Sequence, residues 1–317
     1  MRVVFALLAA VLLAVFGGCG GSGAEPGAPV GATLVLDFVP NAAHTGIYAA
    51  KREGYYRDAG VKLTVRQPGE STDAPKLLAA GRADFAILDI HDLGIARERG
   101  LDVVGLMPIV QRPLAAVIAG AGEGVTGPRD LEGRRVGVTG LPSDEAVVDS
   151  EVSADGGDPA RVDRVTIGFN AVSALAAHRV VAATGFWNAE GVALRRRGIP
   201  VRIFKVDRYG APPYPELVLV ASRKTVERRP GLVDSVVRAT KKGYAFAVAH
   251  PGRALADLLA EAPGLERAGE ATQMKALLPV LAPAPFDPTV LRAWARWDLD
   301  HGLLKRPLDV GAAFDEP

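Results

Sequence analysis

The chain has 317 residues, 49% of them hydrophobic, with 37 basic against 36 acidic side chains and a single cysteine. Balanced charge without a basic patch excludes a nucleic-acid surface, and the dense run Arg195-Arg196-Arg197 reads as a solvated helix face. One cysteine excludes a disulfide framework or a CxxC metal knuckle, and the roughly 290 residues after the leader exceed one ordinary core, so two domains are expected.

Arg2 opens the chain and an apolar run follows from Val3 to Phe16, closed by Gly17-Gly18-Cys19. A charged start, a short apolar core and small residues make a secretory signal, residues 1–19; a membrane anchor would need about 18 apolar residues. Cys19 follows glycine directly, where bacterial lipoprotein signals carry the lipidated cysteine, although Phe16 replaces the usual leucine. Residues 20–31, rich in Gly, Ala and Pro, read as a flexible tether. The expected product is exported and lipid-anchored at the cell membrane.

Strand and helix signals alternate from Ala32. Leu34, Val35, Leu36 and Phe38 form a strand covered on both faces, broken by Pro40-Asn41, and a helix runs from Thr45 to Gly54. The loop 40–46 lies at the carboxyl end of a parallel strand and the start of a helix, where open α/β sheets bind ligands. Its polar residues are Asn41, His44 and Thr45. Strands Val61–Arg66, Asp84–Ile90 and Val103–Val110 alternate with helices Ala74–Ala80 and Leu93–Arg99. After the glycine-rich break 120–128 a second series follows: strands Arg135–Val138, Arg164–Ile167, Val180–Ala183 and Val201–Phe204 with helices Asp144–Ala154, Ala171–His178 and Asn188–Arg197. Leu217–Ala221 is a last strand, and helices Leu232–Ala249, Arg253–Leu259, Ala271–Leu278 and Thr289–Leu303 complete the chain.

Such alternation predicts parallel sheets with right-handed crossovers. Two short α/β units followed by helices predict an α/β protein of two lobes, 32–119 plus 222–317 and 120–221, joined by crossing strands Leu114–Ile118 and Leu217–Ala221. Each crossing follows a proline-bearing turn, and a ligand would sit in a cleft that closes by hinge motion.

Specific strings then carry a resemblance: PNAAHTGIYAA (40–50) with GYYRDAGVKLTV (54–65), LLAAGRADFAI (77–87), VQRPLAAVI (110–118), IGFNAVSAL (167–175) with GFWNAEGVALR (185–195), and KVDRYGAPPYPELVLVA (205–221). They span nearly all of both α/β units. The chain resembles the substrate-binding proteins of bacterial ABC importers, in the branch that captures pyrimidine precursors of thiamine. That implies the bilobed periplasmic-binding-protein fold of the second class, no catalysis, no cofactor or metal, a monomer, and a permease and ATPase as partners. The implied ligand is a small heterocycle; riboflavin-type or alkyl sulfonate cargo is the alternative.

An aminopyrimidine has flat faces and an edge of donors and acceptors. Tyr48, Phe186, Trp187, Tyr209 and Tyr214 can supply faces, at about 0.5–1.5 kcal/mol per aromatic pair beyond burial, and Asn41, Asn188 and Glu190 the edge. Tyr48 fits core packing equally well, Glu190 can complement a helix dipole, and Tyr209 and Tyr214 can be hinge packing. In the loop 140–145 Ser143 fits a helix cap or, with Glu145, a ligand contact, as the resemblance implies; Asn170 lies in a matching string. The loop 69–73 has the corresponding place in the first lobe. One departure is Leu88-Asp89-Ile90-His91-Asp92, where the family usually carries an aromatic and an amide residue. Asp89 can pair with an amino group or cap the next helix. Trp187→Ala is expected to remove ligand affinity and leave the fold intact.

An enzyme is the rival reading, since a eukaryotic relative makes the thiamine pyrimidine from its own histidine with a cysteine-bearing iron site. His44 stands in the matching motif, but Cys19 is the sole cysteine. The five histidines show no HExxH spacing, and no GxSxG is present.

Overall fold

The computed structural model describes residues 28–68 and 74–317. The signal, Cys19, most of the tether and the loop 69–73 lie outside the described residues. Ten strands run in chain order: β1 (Val30–Val35), β2 (Val61–Arg66), β3 (Phe85–Asp89), β4 (Val103–Val110), β5 (Ala115–Gly120), β6 (Arg135–Val138), β7 (Asp163–Thr166), β8 (Ala182–Phe186), β9 (Val201–Lys205) and β10 (Leu217–Ser222). They form two five-stranded sheets, β2-β1-β3-β10-β4 and β7-β6-β8-β5-β9. In each sheet the leading strands are parallel, and one strand that arrives from the other half of the chain runs antiparallel to both its neighbours: β10 in the first, β5 in the second.

That pairing corrects the expected crossings. Ala115–Gly120 hydrogen-bonds in the second sheet and Leu217–Ser222 in the first, so the chain crosses at 111–114 and at 206–216, ahead of each of those strands. Both crossings carry prolines, which fix φ and hold the connection stiff: Pro113 in one, Pro212, Pro213 and Pro215 in the other. β1 begins at Val30, inside the expected tether, because Val30 pairs with Val61. It ends at Val35, releasing Asp37 and Phe38 from the sheet. β4 is buried at every position yet contains Pro108, which an edge strand tolerates.

Thirteen helices cover the sheets among the described residues: α1 (Thr45–Arg52), α2 (Tyr55–Asp58), α3 (Ala74–Ala79), α4 (Ile90–Glu98), α5 (Pro142–Ala154), α6 (Ala171–Ala176), α7 (Glu190–Arg196), α8 (Arg223–Arg228), α9 (Pro230–Ala249), α10 (Pro251–Glu261), α11 (Arg267–Leu281), α12 (Pro288–Asp300) and α13 (Val310–Ala313). None is long and apolar enough to cross a membrane. α1 lies against α9 so closely that a Cβ on Gly46 would overlap the Tyr244 ring, and one on Gly243 would overlap the Gly46 carbonyl. The Tyr244 hydroxyl donates to the Ala43 carbonyl at 2.7 Å. This seam fixes where α1 starts, and with it the loop that leads from β1.

Candidate functional site

The loop after β1 is built around a histidine. Asn41 Oδ1 accepts the Ala43 N–H at 2.9 Å, and the Asn41 N–H donates back to His44 Nδ1 at 3.2 Å, a reciprocal cap of the short 3-10 turn Ala42–His44. An Nδ1 that accepts leaves the proton on Nε2, which donates to Asp37 Oδ1 at 2.7 Å. His44 is 0% exposed. It therefore orients Asp37 from within the core. Asn41 spends its amide on the Val39 carbonyl at 3.1 Å, so it too serves the loop. Tyr48, one turn into α1, is buried in the first-sheet core, where burial and the Glu261 charge push its hydroxyl up to about 12.

Asp89 ends β3 and caps α4, accepting the His91 N–H at 2.8 Å. The helix starts at Ile90, three residues earlier than expected, because this cap nucleates it. Directly across the ladder, where Leu217 pairs with Asp89, sits the buried Glu216. Its Oε2 accepts backbone N–H groups of the other crossing, Leu114 at 2.5 Å and Ala115 at 3.3 Å. Burial raises both acids, Glu216 to about 7.

In the second sheet α5 begins at Pro142, so Ser143 lies inside the first turn and is not the cap. Asp144 takes over, accepting the Thr139 N–H and hydroxyl at 2.5 Å each. Burial raises its pKa, with the Thr139 bonds opposing. Glu145 is exposed and pairs with Arg164 at 2.7 Å. Asn170 is exposed as well, its amide donating to the Ile167 carbonyl at 3.0 Å. After β8, Glu190 Oε2 accepts the Phe186 N–H at 2.8 Å, and burial raises its pKa. Phe186 is partly buried against the core. Asn188 is 2% exposed, and its Oδ1 has no hydrogen-bond partner. An unpaired buried acceptor costs about 1–3 kcal/mol.

Trp187 lies in the hinge itself. It is 8% exposed, its indole N–H donates to the Pro113 carbonyl at 3.0 Å, and Lys205 Nζ stands 3.6 Å from its ring centroid. Tyr209 packs edge-on against Phe204, centroids 5.9 Å apart, and Tyr214 is buried beside His91. Both belong to the second crossing.

Two residues not singled out in the sequence occupy the lip. Phe38, 46% exposed beyond β1, meets Phe169, 66% exposed beyond β7, at a centroid distance of 5.7 Å. Asp37 is the third omission; an acid closing the run Leu34-Val35-Leu36 was its only sequence signal. The loops thus present Asp37, Asp89, Asp92, Asp144 and Glu190, with Glu216 beneath, while the nearby cations are engaged: Arg112 with Asp207 at 2.7 Å and Lys205 over Trp187. A separate cavity of about 500 Å3, lined by Phe286, Leu291, Leu308, Val310 and Phe314, lies at the C-terminal helices away from these loops.

The family description "NMT1/THI5 like" matches residues 41–254. The formylaminopyrimidine-binding protein of Halalkalibacterium halodurans is 31% identical over 291 residues, 89% of this chain and 88% of that one. The 4-amino-5-hydroxymethyl-2-methylpyrimidine phosphate synthase of Legionella pneumophila is 27% identical, over 73% of each chain. Among solved structures, the periplasmic aliphatic sulphonate binding protein of Escherichia coli superposes with a TM-score of 0.76 at 14% identity, covering 91% of this chain and 93% of that one. The two sheets, their single inserted antiparallel strands and the paired crossings are therefore the bilobed fold of periplasmic binding proteins, and the chain belongs to the NMT1/THI5-like family.

Proposed function

We propose that this protein is the extracytoplasmic solute-binding component of an ABC importer and captures a thiamine-pyrimidine precursor, or a close aminopyrimidine, between its two lobes. The lobes are residues 28–110 with 217–317 and residues 115–205. A permease and an ATPase would receive the cargo, a lipid on Cys19 would hold the monomer at the membrane, and no cofactor enters. One observation carries the reading: Phe38, beyond β1 of the first sheet, meets Phe169, beyond β7 of the second, with ring centroids 5.7 Å apart. Aromatic faces suit a flat ring. Carboxylates and the free Asn188 acceptor suit its amino groups. An alkyl sulfonate would meet acids and no free cation here, since Arg112 is paired with Asp207 and Lys205 stands over Trp187, which favours the pyrimidine over the anion.

The synthase relatives make an enzyme the competing reading. Against it stand His44, whose two ring nitrogens are bonded to Asn41 and Asp37 in the core, and a sequence with one cysteine. A thermal-shift panel tests the assignment with hydroxymethyl-, aminomethyl- and formylaminomethyl-pyrimidines, thiamine, riboflavin and alkyl sulfonates. A pyrimidine at about 100 times its dissociation constant is expected to stabilise the fold by about 2.7 kcal/mol, a shift of several degrees. A response to the sulfonates or riboflavin alone would reassign the cargo, and turnover of a pyrimidine precursor would replace transport with catalysis.

A further inference from the structure

The run Arg195-Arg196-Arg197 reads in the sequence as a solvated helix face, and the structure gives its middle residue a different task. Arg196 ends α7 in the second lobe, and its Nη1 donates to Oε2 of Glu266, the residue ahead of α11 in the first lobe. Glu266 is held in place from its own side. Its Oε1 accepts the Ala268 N–H at 3.0 Å and its Oε2 the Gly269 N–H at 2.7 Å, so it caps α11. A carboxylate fixed in this way loses little further freedom when a guanidinium meets it. The helix ends match as well: the last carbonyls of α7 favour a cation, and the first N–H groups of α11 favour an anion. The close approach needs Gly269, where a Cβ would lie 2.6 Å from Arg196 Nη1 and 2.9 Å from Glu266 Oε2. The bond from Arg196, with those from Gly269 and Ala268, holds the Glu266 carboxyl below its ordinary 4.5, so the pair is charged at neutral pH.

Other contacts between the lobes show which side of the molecule can part. Phe38 leads into the turn Ala42–His44, against which α11 packs, and Phe169 leads into α6, against which α7 packs. The exposed pair of rings and the ion pair therefore belong to neighbouring elements. On the other face Trp297 of α12 donates its indole N–H to Ser150 Oγ of α5 at 3.4 Å, and Ser150 donates to the Tyr209 carbonyl of the second crossing at 2.8 Å. Trp297 is buried, with Tyr214 and His91 at centroid distances of 6.1 and 5.5 Å. α12 and α5 share one core cluster, whereas α11 belongs to another. Buried groups thus join the lobes on the α5–α12 face. On the α7–α11 face the joint is exposed, Arg196 by 38% and Glu266 by 63%. An exposed ion pair is weak and is screened by salt, so this is the face that gives way first.

We propose that Arg196 and Glu266 form an electrostatic latch between the lobes, closing the α7–α11 face while the α5–α12 face acts as the fulcrum. The inference rests on the cleft assigned above and deepens it, by naming what regulates access to that cleft. Opening requires only that the guanidinium leave the carboxylate, because Glu266 keeps its bonds to Ala268 and Gly269. The balance of open and closed forms then follows ionic strength.

Small-angle X-ray scattering of the full-length chain, with no ligand added, tests this at two salt concentrations. The screening length is about 30 Å at about 0.01 M salt and about 3 Å at about 1 M. The parent is expected to be compact at low salt and to shift towards a larger, open form at high salt. Arg196→Glu sets like charge against Glu266 and should raise the open-to-closed ratio at low salt by about fivefold or more. Arg196→Ala removes the attraction without adding repulsion and should raise it by about two- to fivefold, with little response to salt. Arg196→Lys keeps the charge and should restore the behaviour of the parent. Scattering from Arg196→Ala and Arg196→Glu that matches the parent at both salt concentrations would overturn the latch. Salt-dependent opening that persists in Arg196→Ala would also overturn it and place the electrostatic joint elsewhere. Neither result touches the choice of cargo, which the thermal-shift panel decides.

Discussion

Trp187 shows how a position that reads as a ligand contact can be taken up by the fold. Its sequence context, directly after an apolar strand, suggests a face for a ligand ring. The structure buries it against Pro113 with its indole N–H bonded to the first crossing and Lys205 over one face. Trp187→Ala is therefore expected to lose about 3 kcal/mol or more of stability, the usual cost of emptying such a volume, measured by urea denaturation. An unchanged midpoint would return Trp187 to the ligand. His44 carries the same lesson. The motif around it suggests a ligand contact, and the structure buries His44 and ties its Nε2 to the half-buried Asp37 at 2.7 Å. Sequence spacing finds strand ends reliably, because parallel strands announce themselves as unbroken apolar runs. It does not tell which side chain in a loop turns inward, since that depends on caps and on bonds between residues far apart, such as Glu216 to Leu114.

At the scale of elements, the order of strands and helices was legible from the alternation of apolar runs and glycine stops, and most boundaries fall within a few residues of those expected. What could not be read was which sheet receives β5 and β10. Both are short, apolar and flanked by prolines, and only their hydrogen-bond partners separate them. The α1–α9 seam was invisible for a similar reason: Gly46 and Gly243 are about two hundred positions apart and neither looks unusual alone. Their contact makes a strong prediction. Gly243→Ala should destabilise the protein by about 3 kcal/mol or more, because the added methyl meets the rigid Gly46 carbonyl and not a side chain that can turn away. A midpoint within experimental error of the parent would mean that the seam is looser than described.

For the molecule as a whole, buried acids make stability depend on pH. Glu151 on α5 is buried and accepts the Val117 N–H at 3.2 Å. Burial raises it well above its ordinary 4.5, and the charge of Asp207 adds to the effect. Below that ordinary value the folded and unfolded chains are both protonated there. As pH rises through 4.5 the unfolded chain releases the proton while the folded one keeps it, so stability falls until the folded group also ionises. Glu216 acts in the same direction between 4.5 and about 7. Glu151→Gln preserves the acceptor for Val117 and should raise the melting temperature at pH 8 by a few degrees, with much less effect at pH 4. An equal shift at both pH values would assign the effect to packing and not to the proton.

The contact of Phe38 with Phe169 reaches beyond recognition. The two rings are exposed and follow strands of different sheets, so we expect their contact to change with any hinge motion between the lobes. The sequence holds a single thiol, Cys19. A dye attached to a cysteine at position 169 would therefore sit where hinge motion most alters its surroundings and would have almost no competing label. The fold is in effect the frame of an optical gauge, one that would turn the concentration of a dissolved metabolite into a change of colour or brightness.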